Sequence, residues 1–573
     1  MIHEIISDTT QLWKNKKFAV ALPLIAILSY WTLLLNPTIG IDDTAFELYF
    51  EEGVAPAAGR WCLFLIHKIF SLSYNPYFME LLGVFIFCIS VSLWCVVFYR
   101  IFQKDIPDWG YLLFSAIMIS SPMISEVVTY YLHNGIFTAY GMTALAVLGG
   151  MKAVEAQKPG QIVSRTFWAV ICLTIALGFY ESFMIVYLMG MAMVLFALRI
   201  KGECNTVKIE SLTGCTEHNS CTEHAGYTAL IGFTALVAVC SVLLRTIIVK
   251  LLITVFHLQD QTQVLKSRGL YEFFGWFDGS RSFSDFVYIM KDFFVKYYVN
   301  AVVYLPVLLC VLAVMVLVLI SLHQSRQKKD AMILLTACVI VLLPWAMPVL
   351  EGSATYYRSS QYIPLLCAFS GLLLVRQTYR LCVTCKWDWV GKGIQWTGIF
   401  LTAVLLYAQT SEMNRWLYVD AQKYEFTKNT MEEIADVILQ CDDPQKPVCI
   451  VGEYPVPKSL LEDAVCPSWS KKYLIAQWLV KNLDETLWES YCTEEGYWFA
   501  ETPQLSFLNW AKTAFYGFDR QAIRFWEMQG YSFTEDGNLE HYIEAETLME
   551  NGPAWPQEGS VVELPEYIIV NLG

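Results

Sequence analysis

Residues able to do chemistry are sparse in this chain, and they sit beside long apolar runs. Asp42 and Asp43 follow Gly40-Ile41, a few residues past the first such run. Two adjacent carboxylates repel, so either one keeps a raised pKa and acts as a general base, or the two together hold a divalent cation. The pair also suits a solvated turn, because Asp43-Thr44 ahead of Ala45-Phe46-Glu47-Leu48 matches a helix start. Arg60, beside Trp61, can fork onto the oxygens of a lipid phosphate or serve as an interfacial anchor. Tyr130, Tyr131, His133 and Asn134, just after Glu126, offer hydroxyl, imidazole and amide groups to a sugar, although tyrosine also gathers at membrane interfaces without a ligand. Glu181, after Tyr180 in Gly178-Phe179-Tyr180-Glu181-Ser182, interrupts an apolar stretch of nearly twice span length. A carboxylate there is costly, and it faces a cavity or a partner or marks a re-entrant turn. Glu351 and Arg358 bracket Gly-Ser-Ala-Thr-Tyr-Tyr, where Arg358 reaches either a phosphate head group or an ion pair with Glu351 or Glu181.

The elements that must position these groups are membrane helices. Hydrophobic residues make up 56% of the 573 positions and charged residues only 16%, too apolar for a set of soluble domains. Apolar runs fall at about 18–35, 77–99, 109–125, 132–151, 166–181, 183–199, 227–249, 299–321, 331–350, 360–379 and 393–411. Each is close to the roughly 20 residues that cross hydrocarbon. Lys14, Lys16 and Lys17 precede the first run, which reads as a retained anchor with its start in the cytoplasm. Alternate junctions are basic: Arg100 and Lys104; Lys152, Lys158 and Arg165; Arg199, Lys201 and Lys208; Arg326, Lys328 and Lys329; and Arg376, Arg380, Lys386 and Lys392. With eleven spans, the outer face receives the loop 36–76, residues 126–134, Glu181, the segment 250–298 and residues 351–358. Within the loop, 46–72 reads as two amphipathic interfacial helices with a break at 53–59. A site built there faces away from nucleotide sugars, so a sugar donor would have to be lipid-borne.

The chain divides into a transmembrane part, 1–411, and an acidic extracytoplasmic domain, 412–573. Residues 441–573 hold 22 acidic and 8 basic residues and so carry all of the net charge of −14. That excess argues against nucleic acid as a partner, since phosphate backbones need clustered Lys and Arg. Strand-like runs at 448–452 and 561–572 around helical segments predict a small α/β fold, and Trp498, Trp510, Trp526 and Trp555 either stack on sugars or fill its core. Seven of the 17 cysteines lie in these apolar runs; the four of the acidic domain, Cys441, Cys449, Cys466 and Cys492, permit one or two disulfides. The repeat Cys215-Thr-Glu-His218-Asn-Ser-Cys221-Thr-Glu-His224 has zinc-type ligands without a zinc-site spacing and reads as a polar loop, and Cys382-Val-Thr-Cys385 is a weaker signal still. Phosphate-loop, zinc-protease and serine-hydrolase signatures are missing.

Taken together, Ile39-Gly40-Ile41-Asp42-Asp43, Gly59-Arg60-Trp61 and Gly178-Phe179-Tyr180-Glu181-Ser182 resemble, in order and spacing, the bacterial O-antigen-type glucosyltransferase (Gtr) family of GT-C membrane enzymes. Tyr357-Arg358-Ser359, Asn414-Arg415-Trp416 and the ending Trp555-Pro556-Gln557-Glu558-Gly559-Ser560 add to the likeness. Glu181 stands where many relatives carry glutamine. The resemblance implies a GT-C-like, mainly α polytopic protein of the bacterial plasma membrane. It implies transfer of a glucosyl or other hexosyl residue from a polyprenyl-phosphate sugar to a cell-surface glycan, without an obligatory metal. Asp42 or Asp43 would be the general base, and Arg60 and Arg358 would stabilise the departing phosphate. A polytopic transporter or lipid-linked sugar flippase is the alternative, although the internal repeats common in transporters are missing; a non-catalytic envelope assembly protein is a third.

Overall fold

Backbone groups in hydrocarbon must find partners within their own segment, so apolar runs of this length are obliged to coil into helices. The computed structural model describes residues 2–39, 43, 54–70, 77–128, 133–201, 220–258, 276, 280–294, 297–298, 310–316, 318, 331–352, 357–384, 388–454, 457, 482 and 520–573. An amphipathic helix α1 (Ile2–Lys14) leads into α2 (Lys16–Ser29) and the short α3 (Trp31–Leu35). After α4 (Val54–Ala57) and α5 (Trp61–Phe70) come α6 (Phe78–Phe102), α7 (Asp108–Ile119) and α8 (Ser125–Val128). The bundle continues with α9 (His133–Val154), α10 (Pro159–Phe179), α11 (Phe183–Lys201) and α12 (Ser220–Val255). Then follow α13 (Phe283–Phe294), α14 (Ala331–Leu342), α15 (Ala346–Glu351), α16 (Tyr362–Thr384) and α17 (Asp388–Ile438).

Six helices among the described residues are long and apolar enough to cross a bilayer: Phe78–Phe102, Gly135–Val154, Pro159–Phe179, Phe183–Lys201, Thr228–Val255 and Met332–Glu351. The pair Asp108–Ile119 and Pro122–Val128, bent by 41°, makes a seventh if it counts as one span. This architecture fits a polytopic membrane protein. The apolar runs at 360–379 and 393–411 are helical, in α16 and α17, and most of 299–321 lies outside the described residues. The first run, expected as one anchor, is broken at Tyr30. Asn414 of α17 supplies the physical reason. Its Oδ1 accepts from Thr32 N at 2.9 Å while its Nδ2 donates to Leu28 O at 2.7 Å, so one amide replaces the Leu28–Thr32 rung of the helix ladder. The Asn414-Arg415-Trp416 motif thus has a structural role: Glu412, buried, accepts from Trp416 Nε1 at 3.1 Å and pairs with Arg415.

Several of the basic junction residues converge at one end of the bundle. Asp8 of α1 pairs with Arg100 at 2.5 Å, Glu4 with Lys152 at 3.2 Å, and Arg376 with Asp105 at 3.4 Å. Arg165 donates to Lys152 O at 2.5 Å, and Asn15 to Asp108 at 2.7 Å. The N-terminal helix is therefore fastened to the ends of α6 and α9, and Asn15, just after it, to the start of α7.

At 51 residues, α17 is about 77 Å long, well over twice the hydrocarbon thickness of ~30 Å. It runs through 411–412 without a break, so the expected division between two parts of the chain falls inside a continuous helix. Its last turns join a unit made of β1 (Val448–Val451), α18 (Arg520–Met528), α19 (Leu539–Met549), β2 (Val561–Glu563) and β3 (Ile568–Asn571). Strand order is β1-β3-β2, with β1 parallel and β2 antiparallel to β3. The two-residue period of a strand separates the faces. Val448, Ile450, Ile568 and Val570 pack on α17 and α18 with Met431, Ile434 and Trp526. Cys449, Val451 and Ile569 face α19 with Tyr542 and Ala545. Trp526 fills core and donates to Met431 O at 2.7 Å, and Trp555 packs against the same cluster, whereas Trp498 and Trp510 lie outside the described residues. Cys441 is a free thiol and Cys449 is sealed in β1; Cys466, Cys492, Cys215 and His218 lie outside the described residues. The helical side chains of Cys221, His224 and Cys382 do as well, and so does Cys385.

On this unit His541 stacks on Tyr567 at 4.3 Å, with Nδ1 2.7 Å from Asp536 Oδ2 and Nε2 3.4 Å from Glu566. The Asp536 hydrogen bond, helped by both carboxylate charges, holds the imidazole above its usual pKa. A raised folded-state pKa means stabilisation present in full below about 6.5 and lost as pH rises through the folded value. Melting measured from pH 6 to pH 8 should therefore fall more steeply in the native protein than in His541→Gln. Equal slopes would remove His541 as the cause.

Candidate functional site

The polar groups flagged in the sequence meet where helices break. Between α10 and α11 the chain interrupts at residues 180–182, with Tyr180 in an extended conformation, and this corner projects Tyr180 and Glu181 away from the helix ladder. Between α4 and α5 the turn at 58–60 does the same for Arg60. The interfacial break expected at 53–59 is thus shorter and later, because residues 54–57 are buried and close a helical turn, with Arg60 N donating to Ala55 O at 2.8 Å. The two corners interlock. The Arg60 guanidinium lies 4.7 Å from the centroid of the Tyr180 ring, and its Nε is 4.0 Å from Glu181 Oε2. Desolvated contact of this kind with a ring face is worth about 2 kcal/mol.

Two glycines make the approach possible. Gly59 has φ +81°, and a Cβ there would sit 1.7 Å from the Arg245 guanidinium. A Cβ on Gly178 would lie 2.4 Å from Trp61 Nε1 and 2.8 Å from Cys62 Sγ. Gly178→Ala is therefore expected to cost about 1–3 kcal/mol through overpacking and to shift the Trp61 indole beside Arg60. A thermal melt indistinguishable from the native one would mean that the indole does not pack on this glycine.

Arg245, from within α12, was not singled out from sequence, although its charge inside an apolar run was a usable signal. It donates from Nε to Gly59 O at 3.3 Å and from Nη2 to Ala58 O at 3.2 Å, capping the turn that carries Arg60. Its charge also acts on Glu181 and Arg60.

A second corner carries Arg358. Pro122 follows the end of α7 and redirects the chain into a short 3-10 turn, Pro122–Ile124, then α8, which lies against the turn Tyr357–Ser359. That places Glu126 as a partner of Arg358: Nη1 is 3.5 Å from Glu126 Oε1, and the Arg358 backbone N–H donates to Oε2 at 3.0 Å. Glu351 lies beside Ser359 and feels the charges of Glu181 and Arg358. Tyr180 links the two corners, its hydroxyl lying 3.3 Å from Ser359 Oγ. Below them Gln361 donates to Arg358 O at 3.2 Å and accepts from Tyr140 at 2.8 Å. From the expected outer segment 250–298, Arg281 donates to Gly352 O at 2.5 Å and Trp276 Nε1 to Val349 O at 2.8 Å, which fixes the end of α15 beside Glu351.

Arg60, Tyr180, Glu181, Glu351 and Arg358 are thus gathered into one cluster, with Glu126 and Arg245 added. Asp43 is buried, at 7% exposure. Asp42, Tyr130 and Tyr131 lie outside the described residues; His133 and Asn134 open α9, but their side chains are outside them too. A divalent cation on the acidic pair would take one ligand, Asp42, from beyond what is described, and among the described residues no group of three metal-ligating side chains occurs. Chemically the cluster offers three guanidinium groups held at fixed points by the carboxylates of Glu181 and Glu126, an aromatic face and backbone carbonyls, with Glu351 as a third carboxyl beside them. Such cations can receive a phosphate by exchanging one acidic partner for another.

The family model described as glucosyl transferase GtrII matches residues 31–375, which hold every member of this cluster. No curated protein and no solved structure matches the chain.

Proposed function

Since the chain belongs to the GtrII glucosyl transferase family, we propose that this glycosyltransferase takes a glucosyl or other hexosyl residue from a polyprenyl-phosphate carrier and transfers it to a cell-surface glycan at the outer face of the bacterial plasma membrane. Asp43 or Asp42 acts as general base, removing the acceptor hydroxyl proton as that oxygen attacks the anomeric carbon. The bond to the phosphate oxygen breaks, and Arg60 and Arg358 meet the charge that develops there. Glu181 and Glu351 border the sugar, together with Tyr130, Tyr131, His133, Asn134 and Tyr180. No metal is obligatory, since the departing polyprenyl phosphate, a phosphate monoester, is already a good leaving group; a cation at Asp42 and Asp43 is compatible with this chemistry.

The observation that carries the reading is the joining of Gly59-Arg60-Trp61 to Gly178-Phe179-Tyr180-Glu181: residues about 120 positions apart in sequence form one cationic corner beside Arg358. Sidedness supports a lipid-borne donor. Arg100, Lys152, Arg165 and Arg376 gather at the opposite end from Glu126 and Arg358, and a cytoplasmic position for that basic end places the cluster outside. The C-terminal unit, reached through α17, then stands outside as well.

The purified chain in lipid nanodiscs, given polyprenyl-phosphate glucose and candidate glycan acceptors, should form a new glycosidic bond; uridine-diphosphate glucose should not replace the lipid donor. In sealed vesicles, movement of intact lipid-linked sugar across the bilayer without bond formation would point to a flippase instead.

A further inference from the structure

The matched segment ends at residue 375, yet the chain beyond it reaches back to Thr38 and Ile39, a few residues before the acidic pair. Thr38, five positions before Asp43, is buried and donates from Oγ1 to Asp420 Oδ2 at 2.9 Å. Asp420 lies on α17 and is 2% exposed; burial pushes its carboxyl up to about 7, against the opposing effects of the Lys423 charge and the Thr38 hydrogen bond. A carboxyl in such a place is costly to the fold unless it is paired, and the Thr38 hydroxyl and the Lys423 charge are what pair it. The next residue, Ile39, packs against the C-terminal core built from Met431, Ile434, Trp526 and Ile568. On the far side of the acidic segment, Arg245 grips the carbonyls of Ala58 and Gly59. Five residues span at most about 18 Å, so a fixed Thr38 limits where Asp43 can go.

We propose that Asp420, through Thr38, is a positioning residue for the segment that bears Asp42 and Asp43, and that the C-terminal unit thereby sets the geometry of the general base. This rests on the reading of that pair as the base. Asp420 itself touches neither sugar nor phosphate. A base displaced by about 1 Å loses on the order of 10²-fold in rate, while a donor site made by Arg60 and Arg358 keeps its affinity.

The test uses the full chain in nanodiscs with polyprenyl-phosphate glucose. Thr38→Val removes the donor at equal shape and is expected to lower kcat on the order of 10²-fold, with the donor KM unchanged and the loss persisting at temperatures well below the variant's melting point. Thr38→Ser returns the hydroxyl and should restore kcat. Asp420→Asn is the second variant; it keeps the volume and an accepting oxygen, so its kcat should fall by a smaller factor, again with KM held. Native-level kcat in both Thr38→Val and Asp420→Asn overturns the inference alone. A loss that tracks a lowered melting temperature, and that Thr38→Ser fails to restore, marks a merely structural contact and overturns it too. Absence of transfer by the native chain overturns the function, and the inference falls with it.

Discussion

Asp43→Asn is expected to lower the rate of glucosyl transfer by about 10²–10⁴-fold, the usual contribution of a positioned general base. The substitution is close to isosteric, and Asp43 is buried, so the volume it fills is preserved. An amide cannot take the acceptor proton. Binding of the lipid donor, which depends on cations elsewhere, should be retained, and a donor-binding measurement separates loss of chemistry from loss of fold. Asp42→Asn, measured alongside, assigns the role within the pair: the member whose removal costs more is the base. Two single variants and a double variant that all transfer at near-native rates would leave the acidic pair without a catalytic role.

Arg60→Ala should cost about 10²–10³-fold in kcat, the scale seen when one preorganised donor is removed from a site of developing charge. Arg60→Lys should recover only part of it. An ammonium cannot fork onto two phosphate oxygens, nor stack as a plane on the Tyr180 ring that lies 4.7 Å from the native guanidinium. Full activity in the lysine variant would show that a point charge is enough and that the stacked geometry is incidental. Arg358 offers the contrast, because its partner Glu126 is buried. Arg358→Ala should lower both transfer and stability, the latter by about 1–3 kcal/mol because the buried carboxylate loses its cationic partner. Adding Glu126→Gln should return the stability without returning the transfer.

Some of this was readable from residues alone because the physics is local. Hydrocarbon forces backbone groups to pair within a segment, so the apolar runs at 77–99, 132–151, 183–199 and 227–249 announced helices before any contact was known. A charge next to such a run is expensive, and that cost alone marked Arg60, Glu181 and Arg358 as residues with partners to find. The strand-like runs at 448–452 and 561–572 likewise stood out as short apolar stretches, and β1 and β3 are buried along their whole length. Tertiary structure alone decided which partners they found. Glu126 takes Arg358 because Pro122 redirects the chain, and no periodicity connects residues 232 positions apart. The Asn414 amide that replaces a rung of the first helix, Arg245 beneath Gly59, and Asp420 on Thr38 each depend on the rotation and height of one helix against another. Those are set by the packing of side chains over the whole bundle, which no single stretch of sequence contains.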